Sequence, residues 1–150
     1  MDKELVDTID VVIMGYYFGS GKKTQFGMGA LLGGIYNPES GKIESVTKIG
    51  TGITDGQWRE IAMRLKEIEV KDRPKQYSVA RELEPDVWVA PEVVSTVEAD
   101  EITKSKLHVA GKGELGYGLA LRFPRLVEFD RDKTVEQATT SDEFVKLWGK

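Results

Sequence analysis

A mainly β chain, curled into a small closed or half-closed barrel with an amphipathic helix set midway and a short helix at the end, is the fold class the sequence predicts. Three observations carry this. Short β-rich stretches recur without the regular strand–helix alternation of a doubly wound sheet. Glycines interrupt one of them at Gly29, Gly33 and Gly34, where a curling strand must bend. Two segments, opening at Thr54 and Thr140, have capping-box spacing ahead of apolar residues at helical intervals.

In chain order, Ile9 to Tyr17 contains the continuous apolar run Val11-Val12-Ile13-Met14 and reads as a buried strand. A loop follows at Gly19 to Thr24, then an apolar, glycine-broken strand from Met28 to Tyr36. Asn37-Pro38-Glu39-Ser40-Gly41 is a turn by composition, and Lys42 to Ile49 returns as a strand, completing a hairpin. Thr54 caps a helix whose stripe is Trp58, Ile61, Ala62, Leu65 and Ile68. Glu69 to Glu84, charged and containing Pro74, reads as a solvated connector. Strand composition resumes at Val87-Trp88-Val89 and runs through Val93, Val94 and Val97, with Pro91 at an edge or bulge. The last strand is Gly118 to Phe129, and Thr140 opens a terminal helix carrying Phe144, Leu147 and Trp148. Five or six strands and two helices fit an oligonucleotide-binding (OB) type barrel, with a β-sandwich or another small barrel still open.

The chain has 150 residues, 40% hydrophobic and 31% charged, enough for one core and without a signature of disorder. No apolar run reaches the roughly 20 residues of a membrane span, and the acidic start MDKELVDTID lacks the features of a signal peptide, so an intracellular protein with no membrane partner is expected. With no cysteine and one histidine, His108, thiolate nucleophiles, disulfides and histidine-cluster metal centres are excluded, and no metal site is expected. The net charge of −4 argues against a generally basic nucleic-acid binder, yet residues 19–53 and 101–133 each carry +2. Local phosphate-facing surfaces remain open.

The motifs are individually weak. Gly19-Ser20-Gly21-Lys22-Lys23-Thr24 fails the nucleotide P-loop pattern, because Tyr16 stands at its first glycine and Lys23 at its magnesium-binding hydroxyl. It reads either as a solvated hairpin tip or as a basic tip whose glycines let backbone approach phosphate. Lys48-Ile49-Gly50-Thr51-Gly52 has the same two readings. Arg122-Phe123-Pro124-Arg125 puts two cations three apart, on opposite sides of a regular strand, unless a bend at Pro124 turns both to one ligand. Asp130-Arg131-Asp132-Lys133 reads locally as a surface charge cluster, His108 as a surface or structural histidine, and the three tryptophans as packing.

Together the segments say more. Asp7-Thr8-Ile9-Asp10-Val11-Val12 leading into Gly15, Gly19-x-Gly21-Lys22-Lys23, Lys48-Ile49-Gly50-Thr51-Gly52, Trp88-x-x-Pro91, Leu121-Arg122-Phe123-Pro124-Arg125, and Asp132-Lys133 followed by Glu136-Gln137-Ala138-Thr139-Thr140 stand in order along nearly the whole chain. The set closely resembles the carboxy-terminal OB domain of ATP-dependent DNA ligases.

The resemblance implies a single OB domain over residues 1–150 that works with a separate nucleotidyltransferase domain. A lysine of that domain attacks ATP, with Mg2+, and passes the adenylate to a 5′-phosphate at a nick in double-stranded DNA. No Lys-x-Asp-Gly nucleophile motif occurs here, so the chain is expected to be inactive alone and to be an excised domain or a split-enzyme subunit. ATP and Mg2+ would be bound mainly by the absent domain. The resemblance also implies roles in DNA replication, repair and recombination, in the cytoplasm of a prokaryote or the nucleus of a eukaryote. The family's last motif, Arg-x-Asp-Lys, meets the ATP β and γ phosphates and orients pyrophosphate for departure. Lys133 and Asp132 match it, but Asp130 occupies the arginine position and a cation follows only at Arg131. Either a local bulge moves Arg131 into place or adenylation is poorly supported. A second departure is Thr96, where relatives usually carry glutamate. Lys22, Lys23, Lys48, Thr51, Arg122 and Arg125 are the implied contacts to DNA phosphates and sugars. Two alternatives are carried: a stand-alone OB module for single-stranded nucleic acid, and the related domain of an mRNA-capping guanylyltransferase, which shares the last motif but not the Gly-Thr-Gly and Arg-Phe-Pro-Arg set.

Overall fold

The computed structural model describes residues 2–19 and 26–149. Its strands are β1 (Lys3–Glu4), β2 (Ile9–Tyr17), β3 (Ala30–Asn37), β4 (Lys42–Ile49), β5 (Glu69–Val70), β6 (Tyr77–Ser78), β7 (Val87–Val89), β8 (Val94–Glu98), β9 (Glu101–Ser105), β10 (Gly118–Arg122) and β11 (Arg125–Arg131). The helices are α1 (Asp55–Lys66), α2 (Lys112–Leu115) and α3 (Ser141–Gly149). The larger sheet runs β11-β8-β2-β3-β4-β6, with β7 also paired to β2 and β5 to β7; β1, β9 and β10 form the smaller one. This is a curled, mainly β half-barrel with helices inserted and appended, as the sequence predicts.

β2 is the central strand because it is apolar on both faces. Val11 and Ile13 enter the main core with Leu31, Val46, Ile49 and α1, while Val12 and Met14 point the other way into a second cluster with Leu32, Ile43, Tyr77 and Trp88. A strand covered on both sides loses the alternation of a half-exposed one and reads as a continuous run. Its register slips between Ile13 and Gly15, which lets one strand pair with β8 at its start and β7 at its end. A second irregularity falls between Gly33 and Gly34, where a Cβ on Gly34 would lie 2.6 Å from Met14 Sδ and 2.8 Å from Glu44 O. The expected glycine bend is thus also a close approach of backbone to the second cluster.

α1 begins as predicted. Gln57 N–H donates to Thr54 Oγ1 at 3.2 Å and Thr54 N–H to Gln57 Oε1 at 2.9 Å, a complete capping box. Trp58, Ile61, Ala62 and Leu65 are buried, and each large apolar side chain so removed from water contributes about 1.5–3 kcal/mol. α3 has the same start, with Glu143 N–H donating to Thr140 Oγ1 at 3.2 Å and Thr140 N–H to Glu143 Oε1 at 2.9 Å, and it anchors itself with the fully buried Phe144.

Three expectations need correction. The Glu69–Glu84 segment is not merely a solvated connector: it supplies β5, β6 and a 3₁₀ turn at Arg81–Leu83, and its Tyr77 and Leu83 are buried. Its few apolar residues cover the outer face of β2 and β3, a use that composition averages conceal. The predicted last strand is two, β10 and β11, broken at Phe123-Pro124, and β9 and α2 had no counterpart in the sequence reading. β8 with β9 and β10 with β11 form one long antiparallel ribbon whose register carries across the corner, Arg122 opposite Glu101 and Arg125 opposite Glu98. Its inner end lies over β4, where Thr47 Oγ1 donates to Leu121 O at 3.2 Å. Among the described residues no helix is long and apolar enough to cross a membrane.

Candidate functional site

Asp10 is an acid inside the apolar opening of β2, and a carboxylate in such a place needs partners. It pairs in register with Thr96 of β8, and Thr96 Oγ1 donates to Asp10 Oδ1 at 2.6 Å. Two cations complete the group: Lys133 Nζ stands 2.6 Å from Asp10 Oδ2, and Arg131 Nη1 donates to Asp10 Oδ1 at 3.1 Å and to Thr96 Oγ1 at 3.0 Å. The side chain of Asp10 is 15% exposed, against 34% for Arg131 and 30% for Lys133, so the carboxylate lies beneath and the cations reach outward. Burial pushes the Asp10 carboxyl up, but hydrogen bonds from Lys133 and Thr96 and the charges of Lys133 and Arg131 outweigh it, so it stays ionised below its ordinary range.

Arg131 reaches this place through irregular pairing. Glu128 lies opposite Thr96 and Arg131 opposite Val94, so three steps along β11 match two along β8, and the extra residue changes which face the following side chain meets. Asp130 absorbs the kink in the left-handed region, φ 55°, which aspartate tolerates better than most residues. Its N–H donates to Ser95 Oγ at 3.1 Å and its carboxylate takes Arg64 Nε of α1 at 2.9 Å. Of the two sequence departures, Thr96 accepts from Arg131, while Asp130 takes the kink before it and pairs with Arg64. Asp132 is exposed.

The other predicted residues are placed differently. Arg122 is paired with Asp2 at 2.9 Å and Glu101 at 4.0 Å, and Arg125 with Glu98 at 3.2 Å and Asp100 at 2.9 Å, so each arginine beside the Pro124 corner has its own carboxylates. Between them Phe123 is 56% exposed at φ 57°, a conformation uncommon for a bulky residue, with the Arg122 guanidinium 5.1 Å from its ring centroid. Lys48 is exposed and its Nζ lies 4.0 Å over the Tyr17 ring, a cation–π contact that keeps the charge outward; Thr51 is exposed a few residues on. Lys22 and Lys23 lie outside the described residues. Among the described candidates, Arg131 and Lys133 share Asp10, Arg122 and Arg125 each have their own carboxylates, and Lys48 lies over an aromatic ring.

Asp10, Thr96 and Tyr17 were not singled out as site residues in the sequence reading. For Asp10 a signal existed, a lone acid in a run otherwise fit for burial.

A glycine-bent, half-closed β-barrel that presents a carboxylate-braced cation pair at the end of a bulged strand defines a small OB-type domain. The chain belongs to the family described as the ATP dependent DNA ligase C terminal region, whose model matches residues 24–133. It is 46% identical over 145 residues to a probable DNA ligase of Dictyoglomus thermophilum, covering 96% of this chain and 25% of that protein. To a DNA ligase of Saccharolobus solfataricus it is 38% identical over 149 residues, covering 98% of this chain and 24% of that protein. The chain thus spans about a quarter of the length of these relatives. It also resembles the crystal structure of the ligase domain from M. tuberculosis LigD, with a TM-score of 0.67 and 25% identity over 89% of this chain and 38% of that one.

Proposed function

We propose that this chain is the part of an ATP-dependent DNA ligase that first orients the pyrophosphate of ATP and then grips nicked duplex DNA, while a lysine on a separate nucleotidyltransferase domain carries the adenylate. The observation that supports this best is the bulge in β11, which sets Arg131 beside Lys133 on Asp10 although Asp130 occupies the family's arginine position. Two half-exposed cations at fixed spacing fit a polyphosphate, whose charge accumulates on the departing pyrophosphate as the lysine attacks. ATP, with Mg2+, would supply the adenylyl group at its α-phosphorus, and Arg131 and Lys133 would hold the β and γ oxygens of the pyrophosphate that leaves. Lacking a Lys-x-Asp-Gly motif, the chain alone is expected to form no lysyl-adenylate.

The test mixes this chain with a compatible nucleotidyltransferase domain, ATP, Mg2+ and nicked DNA. The chain should enhance lysyl-adenylate formation, and Lys133→Ala should reduce that enhancement by about tenfold or more, as the loss of a charged contact to a leaving group commonly does. Tight binding of single strands without any enhancement would overturn the ligase reading in favour of a non-catalytic module, and dependence on GTP would point to a capping enzyme.

For the DNA surface, Lys48, Thr51, Arg122 and Arg125 are proposed to contact phosphates and sugars beside the nick, with Lys22 and Lys23 as further candidates. Lys48 is the best supported, since an aromatic ring rather than a carboxylate holds its ammonium. Lys48→Ala should weaken binding of a nicked duplex equally across sequences and reduce the slope of log K against log salt by about one. A slope unchanged from wild type would remove Lys48 from the interface.

A further inference from the structure

Asp10 is the charged group that both cations share, neither role above uses it, and its backbone is held on both sides. Its N–H donates to Thr139 Oγ1 at 2.9 Å, its carbonyl accepts from Thr139 N–H at 2.9 Å, and Thr96 holds its carboxylate from the neighbouring strand. The cations come from less regular backbone, Arg131 at the bulged end of β11 and Lys133 two residues beyond it, with Lys133 N–H donating to Arg131 O at 2.8 Å. Two cations so close repel one another, and a fixed carboxylate between them offsets that repulsion and sets their spacing. The hydrogen-bond inventory points the same way. Lys133 gives Asp10 one of the three hydrogens an ammonium carries; Arg131 gives Nη1 to Asp10 and Thr96 and forms an ion pair through Nε with Glu128 at 3.2 Å, and among the described residues no acceptor is shown for its Nη2. Donors thus remain for an incoming anion on Arg131 and Lys133, whose two positive charges face the carboxylates of Asp10 and of the more exposed Glu128.

We propose that Asp10 is a positioning residue for adenylation: it braces Arg131 and Lys133 as a preorganised pair for the polyphosphate of ATP. The inference rests on the pyrophosphate-orienting role proposed above. Asp10 touches no substrate; it acts through the two cations, and Thr96 acts through Asp10.

The experiment compares two assays on this chain mixed with a compatible nucleotidyltransferase domain: lysyl-adenylate formation at varied ATP with Mg2+, and joining of a nick that already carries a 5′-adenylate, without ATP. Asp10→Asn, which keeps the shape and the backbone bonds to Thr139, should lower kcat/KM for ATP by about tenfold, mostly through KM, and leave joining of the adenylated nick at the wild-type rate. Thr96→Val, which removes only the hydroxyl, should give a smaller loss in the first assay alone. If Lys133→Ala slows adenylation and Asp10→Asn does not, the bracing role is overturned while the phosphate role of Lys133 stands. If neither slows it, both fall. Faster adenylation by Asp10→Asn would overturn the brace by showing that the carboxylate competes with phosphate. A parallel loss in both assays, together with a lowered melting temperature, would overturn it in favour of a purely structural acid.

Discussion

Gly118→Ala should lower the stability of the protein by about 3 kcal/mol or more, the upper range for forcing an extra methyl into a packed site. Gly118 opens β10, and a Cβ there would lie 1.8 Å from His108 O, 2.8 Å from His108 C and 3.2 Å from Val109 Cα. All three are backbone atoms, so no side chain can rotate away. Nor can the backbone retreat freely: Val109 N–H and Ala110 N–H both donate to Ser45 O at 3.1 Å, and Leu119 N–H donates to Ala110 O at 2.9 Å. Relief of the clash requires β10 to lift from the His108–Ala110 segment, which joins the long ribbon to β4. Urea unfolding is the measurement, with Gly113→Ala as its reference, because a Cβ on Gly113 meets nothing within 4 Å. A loss at Gly118 below about 1 kcal/mol would show that the segment yields where the structure holds it rigid.

The same segment should make stability depend on mild acid. The His108 ring stands 3.3 Å from Ser45 Oγ, and burial, followed by the nearby Lys48 charge, pushes its pKa from 6.5 down to about 4. Above pH 6.5 the ring is neutral in both folded and unfolded chains and contributes no pH dependence. Between pH 6.5 and 4 the unfolded chain takes a proton that the folded one refuses, so stability falls with pH, by about 2 kcal/mol at pH 5 and about 3–4 kcal/mol in all. Asp10 and Asp2 act in a lower window: their pKa values are held below the ordinary 3.8, so their contribution is present above that value and is lost only as pH falls beneath it. Urea midpoints at pH 7 and pH 5 should therefore differ for the wild type and converge for His108→Gln. Equal midpoints for the wild type would mean that the ring is solvated.

Elements defined by neighbours in sequence were legible. β2 and β4 have the predicted ends, and both capping boxes form with the predicted partners, because an apolar run and a Thr-x-x-Gln or Thr-x-x-Glu spacing act over a few residues. What the sequence reading missed depends on distant partners. β9 is polar by composition and is a strand because β1 and β10 flank it; Tyr77 is buried because β4 and β7 need cover. The candidate site divides in the same way. Lys133 and Arg131 were legible as cations in a recognisable order, and the possibility of a bulge was visible in the displaced arginine. Their meeting on Asp10 was not, since 121 and 123 residues separate the pairs.

By itself, then, the sequence determined the family, the mainly β class, the capped helices and which residues carry charge, all of which follow from local pattern and motif order. Only the tertiary structure decided which charges are free to act. Folding brought carboxylates from Asp2 just ahead of β1, from β8 and β9, and from the turn between the last two, onto Arg122 and Arg125, set Lys48 on an aromatic ring, and placed two cations over one half-buried acid. The physical reason is that the interaction between charges depends on their separation in space and on the water between them, and a closing barrel sets both without regard to distance along the chain.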